Sequence, residues 1–112
     1  MRRVMVRYKV KADRAAENES YVKKVFEQLD RERPAGIRYA TFKLDDGVSF
    51  VHIASIQSTD SGNPLTELSA FKAFSADIKD RCEEPPVTVK LNEVGSYEFF
   101  ESFSEIAEED SF

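Results

Sequence analysis

The sequence holds one histidine, His52, inside the run Phe50-Val51-His52-Ile53. An imidazole among apolar neighbours is a candidate catalytic base, because desolvation lowers its pKa and keeps it neutral and able to take a proton. It reads equally as a partly buried histidine bonded to a neighbouring strand or across a subunit boundary. Arg7 and Arg38 offer charge-assisted hydrogen bonds to an anionic ligand. As strand arginines they also read as snorkelling or pairing with surface acids. Tyr8 and Tyr39 adjoin them in sequence, and each has an apolar body with a polar tip, suited to orienting a phenolic compound. Phe50, Phe71 and Phe74 complete the candidate pocket lining, with core packing as the alternative for each.

Other chemistries are excluded by what is missing. Cys82 has no second cysteine to pair with, so a reducing, cytoplasmic compartment is expected. Glu83 and Glu84 beside it argue against a lowered thiol pKa and a nucleophilic role. One histidine and one cysteine do not make an ordinary structural zinc site. The four glycines are isolated, so there is no phosphate-cradling loop. His52 has no nucleophile-elbow motif near it. No apolar run is long enough to span a bilayer, and the first residues do not read as a signal peptide. Neither a membrane nor a nucleic acid is expected as a partner. The net charge is −5, and residues 98–112 carry six acids with no Lys or Arg, which leaves +1 on residues 1–97. That is no basic surface for phosphate backbones. Residues 101–112 read as an acidic, solvated C-terminal tail that folding does not need.

The elements that must carry these residues follow from periodicity. Val4, Val6, Tyr8 and Val10 alternate with polar residues, which predicts a strand. Asp13 is placed to cap a helix whose apolar face holds Val22, Val25, Phe26 and Leu29, ended by Pro34 and Gly36. Residues 37–44 and 48–57 predict a hairpin around Asp45-Asp46-Gly47. The second of these strands is apolar on both sides, so it is central in its sheet. Asn63-Pro64 predicts the start of a second helix, with Leu65, Leu68, Phe71, Phe74 and Ile78 as its stripe and Cys82 continuing it. Pro85-Pro86 ends that segment, Val87, Val89 and Leu91 form a fourth strand, and 94–100 reads as an added one. The order β-α-β-β-α-β predicts a single α+β domain over 1–100, ferredoxin-like, with an antiparallel sheet and both helices on one face. The other face is left apolar and open, and a homodimer packed through it is the expected cover.

The runs 6–11 (VRYKVK), 34–39 (PAGIRY), 50–53 (FVHI) and 68–74 (LSAFKAF) resemble the antibiotic-biosynthesis-monooxygenase-like group of dimeric α/β-barrel proteins. The resemblance spans about residues 4–97 and implies a homodimeric barrel with a pocket between sheet and helices. It also implies oxidation of quinols or aromatic, polyketide-like compounds without a conventional redox cofactor, and hence no bound metal or flavin. The chain departs from the group's usual pocket. Val6 stands where the first strand often has Asn, there is no Trp, and Leu65 and Ser69-Ala70-Phe71 occupy the places of the usual histidines. A non-catalytic small-ligand-binding or structural dimer of the same fold is the alternative.

Overall fold

The structure, a computed structural model, describes residues 2–57 and 62–99. Strands β1 (Arg2–Val10), β2 (Ile37–Lys43), β3 (Ser49–Ile56) and β4 (Cys82–Lys90) form an antiparallel sheet in the order β2-β3-β1-β4. Helices α1 (Ala15–Glu32), α2 (Ser69–Ala76) and the short α3 (Ile78–Arg81) cover one face. This is the ferredoxin-like arrangement that the element order predicts, with β3 interior to the sheet.

The hairpin forms where its turn chemistry demands. Asp46 accepts backbone hydrogen bonds from Val48 and Ser49 at 2.9 and 2.8 Å, and Gly47 takes the positive φ of 77° that the turn needs. The alternation of β1 and β3 puts Val4, Tyr8, Val10, Phe50, His52, Ala54 and Ile56 under the helices, all of them buried. From α1, Val22 and Val25 close over them, and Leu65, Leu68 and Phe74 come from the α2 side.

Several local expectations are corrected. Asp13 lies in a 3-10 turn (Ala12–Arg14) and makes no capping bond to α1. Asn63 accepts from the Leu65 and Thr66 N–H groups, but it closes a turn ahead of α2. The cap on α2 comes from Gln28 of α1, whose Oε1 accepts the Ala70 N–H at 2.8 Å. A long polar side chain on the neighbouring helix reaches the orphan donors that no local residue fills. Cys82 begins β4 instead of continuing the helix, and Pro85-Pro86 lie within that strand. They are tolerated because β4 is an edge strand and the register with β1 shifts between the Arg7–Val87 and Lys9–Glu84 pairs, a bulge that spares their missing N–H groups. Residues 94–99 form no strand. After β4, the Leu91 N–H bonds the Arg3 carbonyl, Glu93 pairs with Arg3, and the Ser96 hydroxyl donates to Glu93 at 3.1 Å, while Val94 and Tyr97 are exposed. Residue 100 and the acidic tail, 101–112, lie outside the described residues. No helix among the described residues is long and apolar enough to cross a membrane.

Candidate functional site

Between the helix-covered face of the sheet and the α2–α3 segment lies a cavity of about 290 Å³. Its wall is mainly apolar: Val4, Val6, Ala54, Ile56, Leu65, Phe71, Phe74 and Ile78 contribute to it. Tyr8, Tyr39 and His52 supply a polar cluster on the sheet side, and Arg2, Asn63, Thr66, Ser75 and Thr88 also line it. A small, mostly apolar cavity with few convergent polar groups is the form that small-molecule sites take.

His52 is 5% exposed. Its Nε2 lies 2.8 Å from the Tyr8 hydroxyl, and its Nδ1 lies 2.5 Å from the Tyr39 hydroxyl and 3.1 Å from that of Thr41. Three different strands therefore meet at one imidazole, because the register pairs Val6 with His52 on one side and Thr41 with His52 on the other. Burial pushes the His52 pKa down to about 4, so the ring is neutral at physiological pH. Burial pushes the Tyr39 phenol up to about 12, against a smaller opposing effect of the Thr41 hydroxyl, and raises the Tyr8 phenol further. All three groups are neutral at pH 7, and the cluster can pass protons along hydrogen bonds without carrying resident charge.

Behind Tyr8 stand two residues that sequence reasoning missed. Asn18 of α1 donates from Nδ2 to the Tyr8 hydroxyl at 2.9 Å, and Arg81 donates from Nε to Asn18 Oδ1 at 3.0 Å. Both are fully buried. Asn18 carried a signal: it precedes Val22 by four and Val25 by seven, on the apolar stripe itself. Arg81 had one too, seven residues after Phe74 and three after Ile78.

Of the expected pocket residues, Tyr8, Tyr39, Phe71 and Phe74 line the cavity together with His52. Phe50 does not. It is buried beside the cluster, stacked on the Tyr8 ring at 5.6 Å and 11°. Arg7 and Arg38 are exposed on the opposite face of the sheet, since each precedes an inward-facing tyrosine by one position and successive strand residues point to opposite faces. The Cys82 thiol is raised, as expected, but burial is the leading cause, with Arg81 and Lys11 opposing.

The His52 environment predicts a pH effect on stability. The unfolded chain takes a proton on this ring below about pH 6.5, whereas the native chain resists until about pH 4. The stabilisation is thus complete above the unfolded value and is lost as pH falls through that window. Between pH 7 and 5 the loss amounts to about 2 kcal/mol. Urea midpoints at the two pH values should differ accordingly, and His52→Gln should flatten the difference. An equal slope in the variant would assign the effect to other groups.

Comparison with solved structures places this architecture. A candidate antibiotic biosynthesis monooxygenase from Nitrosomonas europaea superposes with a TM-score of 0.66 at 21% identity, covering 83% of this chain and 89% of that one. A conserved protein from Methanosarcina mazei gives 0.66 at 14%, covering 82% and 91%. SnoaB, a cofactor-independent oxygenase from Streptomyces nogalater solved in a mutant form, gives 0.61 at 17%, covering 85% and 94%. The chain has the antibiotic biosynthesis monooxygenase fold. At these identities the monooxygenase fold is what the likeness establishes. No protein-family model and no curated protein matches the sequence.

Proposed function

We propose that this protein binds a small aromatic compound of the quinol or polyketide-like class in the cavity under α2 and oxidises it with dioxygen, without a metal or flavin of its own. The observation that carries the proposal is the Tyr8–His52–Tyr39 cluster set into an otherwise apolar cavity. In such chemistry the substrate supplies the electrons as a phenolate or carbanion, and the protein supplies a dry cavity, orientation and proton handling. Phe71 and Phe74 offer ring surfaces to an aromatic ligand, and the hydroxyl–imidazole cluster holds its oxygen. The test is oxygen uptake by the wild-type protein with a panel of quinols and hydroxylated aromatics. A second reading, a binding protein without turnover, is favoured by one observation: both ring nitrogens of His52 already have protein partners. Ligand binding without oxygen uptake across the panel would decide for it.

The same proposal has two copies packed sheet to sheet. Phe42 is 51% exposed, Val87 59% and Val89 42%, on the face that the helices leave uncovered. An apolar face of this kind calls for a partner. Sedimentation equilibrium at micromolar concentration should return a dimer mass, and Phe42→Asp should shift it to the monomer. A wild-type monomer would remove this part of the proposal and leave the cavity untouched.

A further inference from the structure

The buried polar chain behind the cavity has a direction. The Arg81 guanidinium donates from Nε to Asn18 Oδ1 at 3.0 Å and from Nη2 to the Phe74 carbonyl at 2.7 Å. The Tyr21 and Phe74 rings face it, with their centroids 4.4 and 5.3 Å from the guanidinium carbon. Among the described residues no carboxylate lies within salt-bridge distance of it.

A guanidinium only donates. Asn18 must therefore turn its oxygen to Arg81 and its amide nitrogen to the Tyr8 hydroxyl, 2.9 Å away. Tyr8 accepts that bond and keeps one hydrogen, for which His52 Nε2 at 2.8 Å is the acceptor. A neutral imidazole has a single N–H. With Nε2 accepting, the proton sits on Nδ1, facing the hydroxyls of Tyr39 at 2.5 Å and Thr41 at 3.1 Å. The opposite tautomer would aim two N–H groups at the Tyr8 oxygen and turn its hydrogen away from every protein partner it has. A polar group as deeply buried as the Tyr8 hydroxyl, on a side chain 2% exposed, is rarely left so, whereas Tyr39 is only partly buried. Tyr39, accepting from Nδ1, retains its own hydrogen, and its side chain lines the cavity.

We infer that Arg81, acting through Asn18 and Tyr8, holds His52 as the Nδ1–H tautomer and leaves the Tyr39 hydroxyl to donate into the cavity. The site then takes its ligand through an acceptor oxygen, a phenolate or ring carbonyl, in preference to a neutral phenol. The ligand half rests on reading the cavity as a ligand site; the tautomer half does not. Arg81 and Asn18 are positioning residues, remote from the ligand. Tyr39 makes the contact, and a hydrogen bond to a charged oxygen is the stronger kind.

Because His52 is the sole histidine, the imidazole signals of the 15N-labelled protein report this tautomer without ambiguity. Wild type should carry its proton on Nδ1. In Asn18→Asp the new carboxylate can only accept, so it keeps the Arg81 contact, draws the Tyr8 hydrogen and makes the Tyr8 oxygen an acceptor for Nε2–H. The proton should move to Nε2. A wild-type ring protonated on Nε2, or an unchanged ring in folded Asn18→Asp, would overturn the inference. Should Asn18→Asp fail to fold, the wild-type spectrum still decides. In a second arm, 4-nitrophenol is titrated into wild type above and below its own pKa. The phenolate should bind about tenfold more tightly than the phenol, and Tyr39→Phe should erase the difference. Equal affinities would refute the ligand half alone. No binding of either form would refute the ligand-site reading, while the tautomer result stands or falls separately.

Discussion

His52→Ala should cut oxygen uptake by about 10²–10⁴-fold, the usual worth of a positioned proton-handling side chain. The ring is buried, neutral and held from both sides by tyrosine hydroxyls, so no neighbour can take its place. Tyr39 would lose the partner that orients it, and Tyr8 would lose its acceptor. The fold should survive, because the vacated space adjoins a cavity where water can satisfy the two hydroxyls. The measurement is uptake by wild type and variant on an active substrate at several pH values, with circular dichroism to confirm that the variant is folded. Equal rates would remove His52 from the mechanism.

Phe50→Ala should have the largest effect on stability, a loss of about 3–5 kcal/mol. Phe50 is 2% exposed and stacks on Tyr8. Truncating it removes a large buried surface in a central strand and leaves a void that a close-packed interior fills poorly. Since domains of this size are stable by roughly 5–15 kcal/mol, the variant should be marginal, with its urea midpoint at a fraction of the wild-type value. A shift below about 1 kcal/mol would mean that the site relaxes around the gap. Phe42→Asp on the opposite face is the contrast: it should alter association far more than the unfolding free energy of the single chain.

Much of the fold was legible in local pattern. Alternation in 4–10 and 48–57, the helical stripe around Val22 and Val25, and the Asp46-Gly47 turn each specify an element through short-range geometry. The expectation that Arg7 and Arg38 share a pocket with Tyr8 and Tyr39 fails on alternation alone, since neighbours in a strand point to opposite faces. The ends of elements were less legible. The α2 cap comes from Gln28, 42 residues before Ala70, and the prolines of β4 are accommodated by a bulge at a sheet edge. Both depend on which element lies alongside.

By itself the sequence determined the order of elements, the central place of β3 and the candidacy of His52, because periodicity and turn chemistry act over a few residues. Tertiary structure decided what His52 touches. Its partners come from β1 and β2, and the chain behind it joins α1 to the end of α3 across 63 residues. Periodicity says which face a side chain occupies. It does not say which polar groups on that face come within hydrogen-bond distance, and at this buried cluster those distances set charge, tautomer and chemistry.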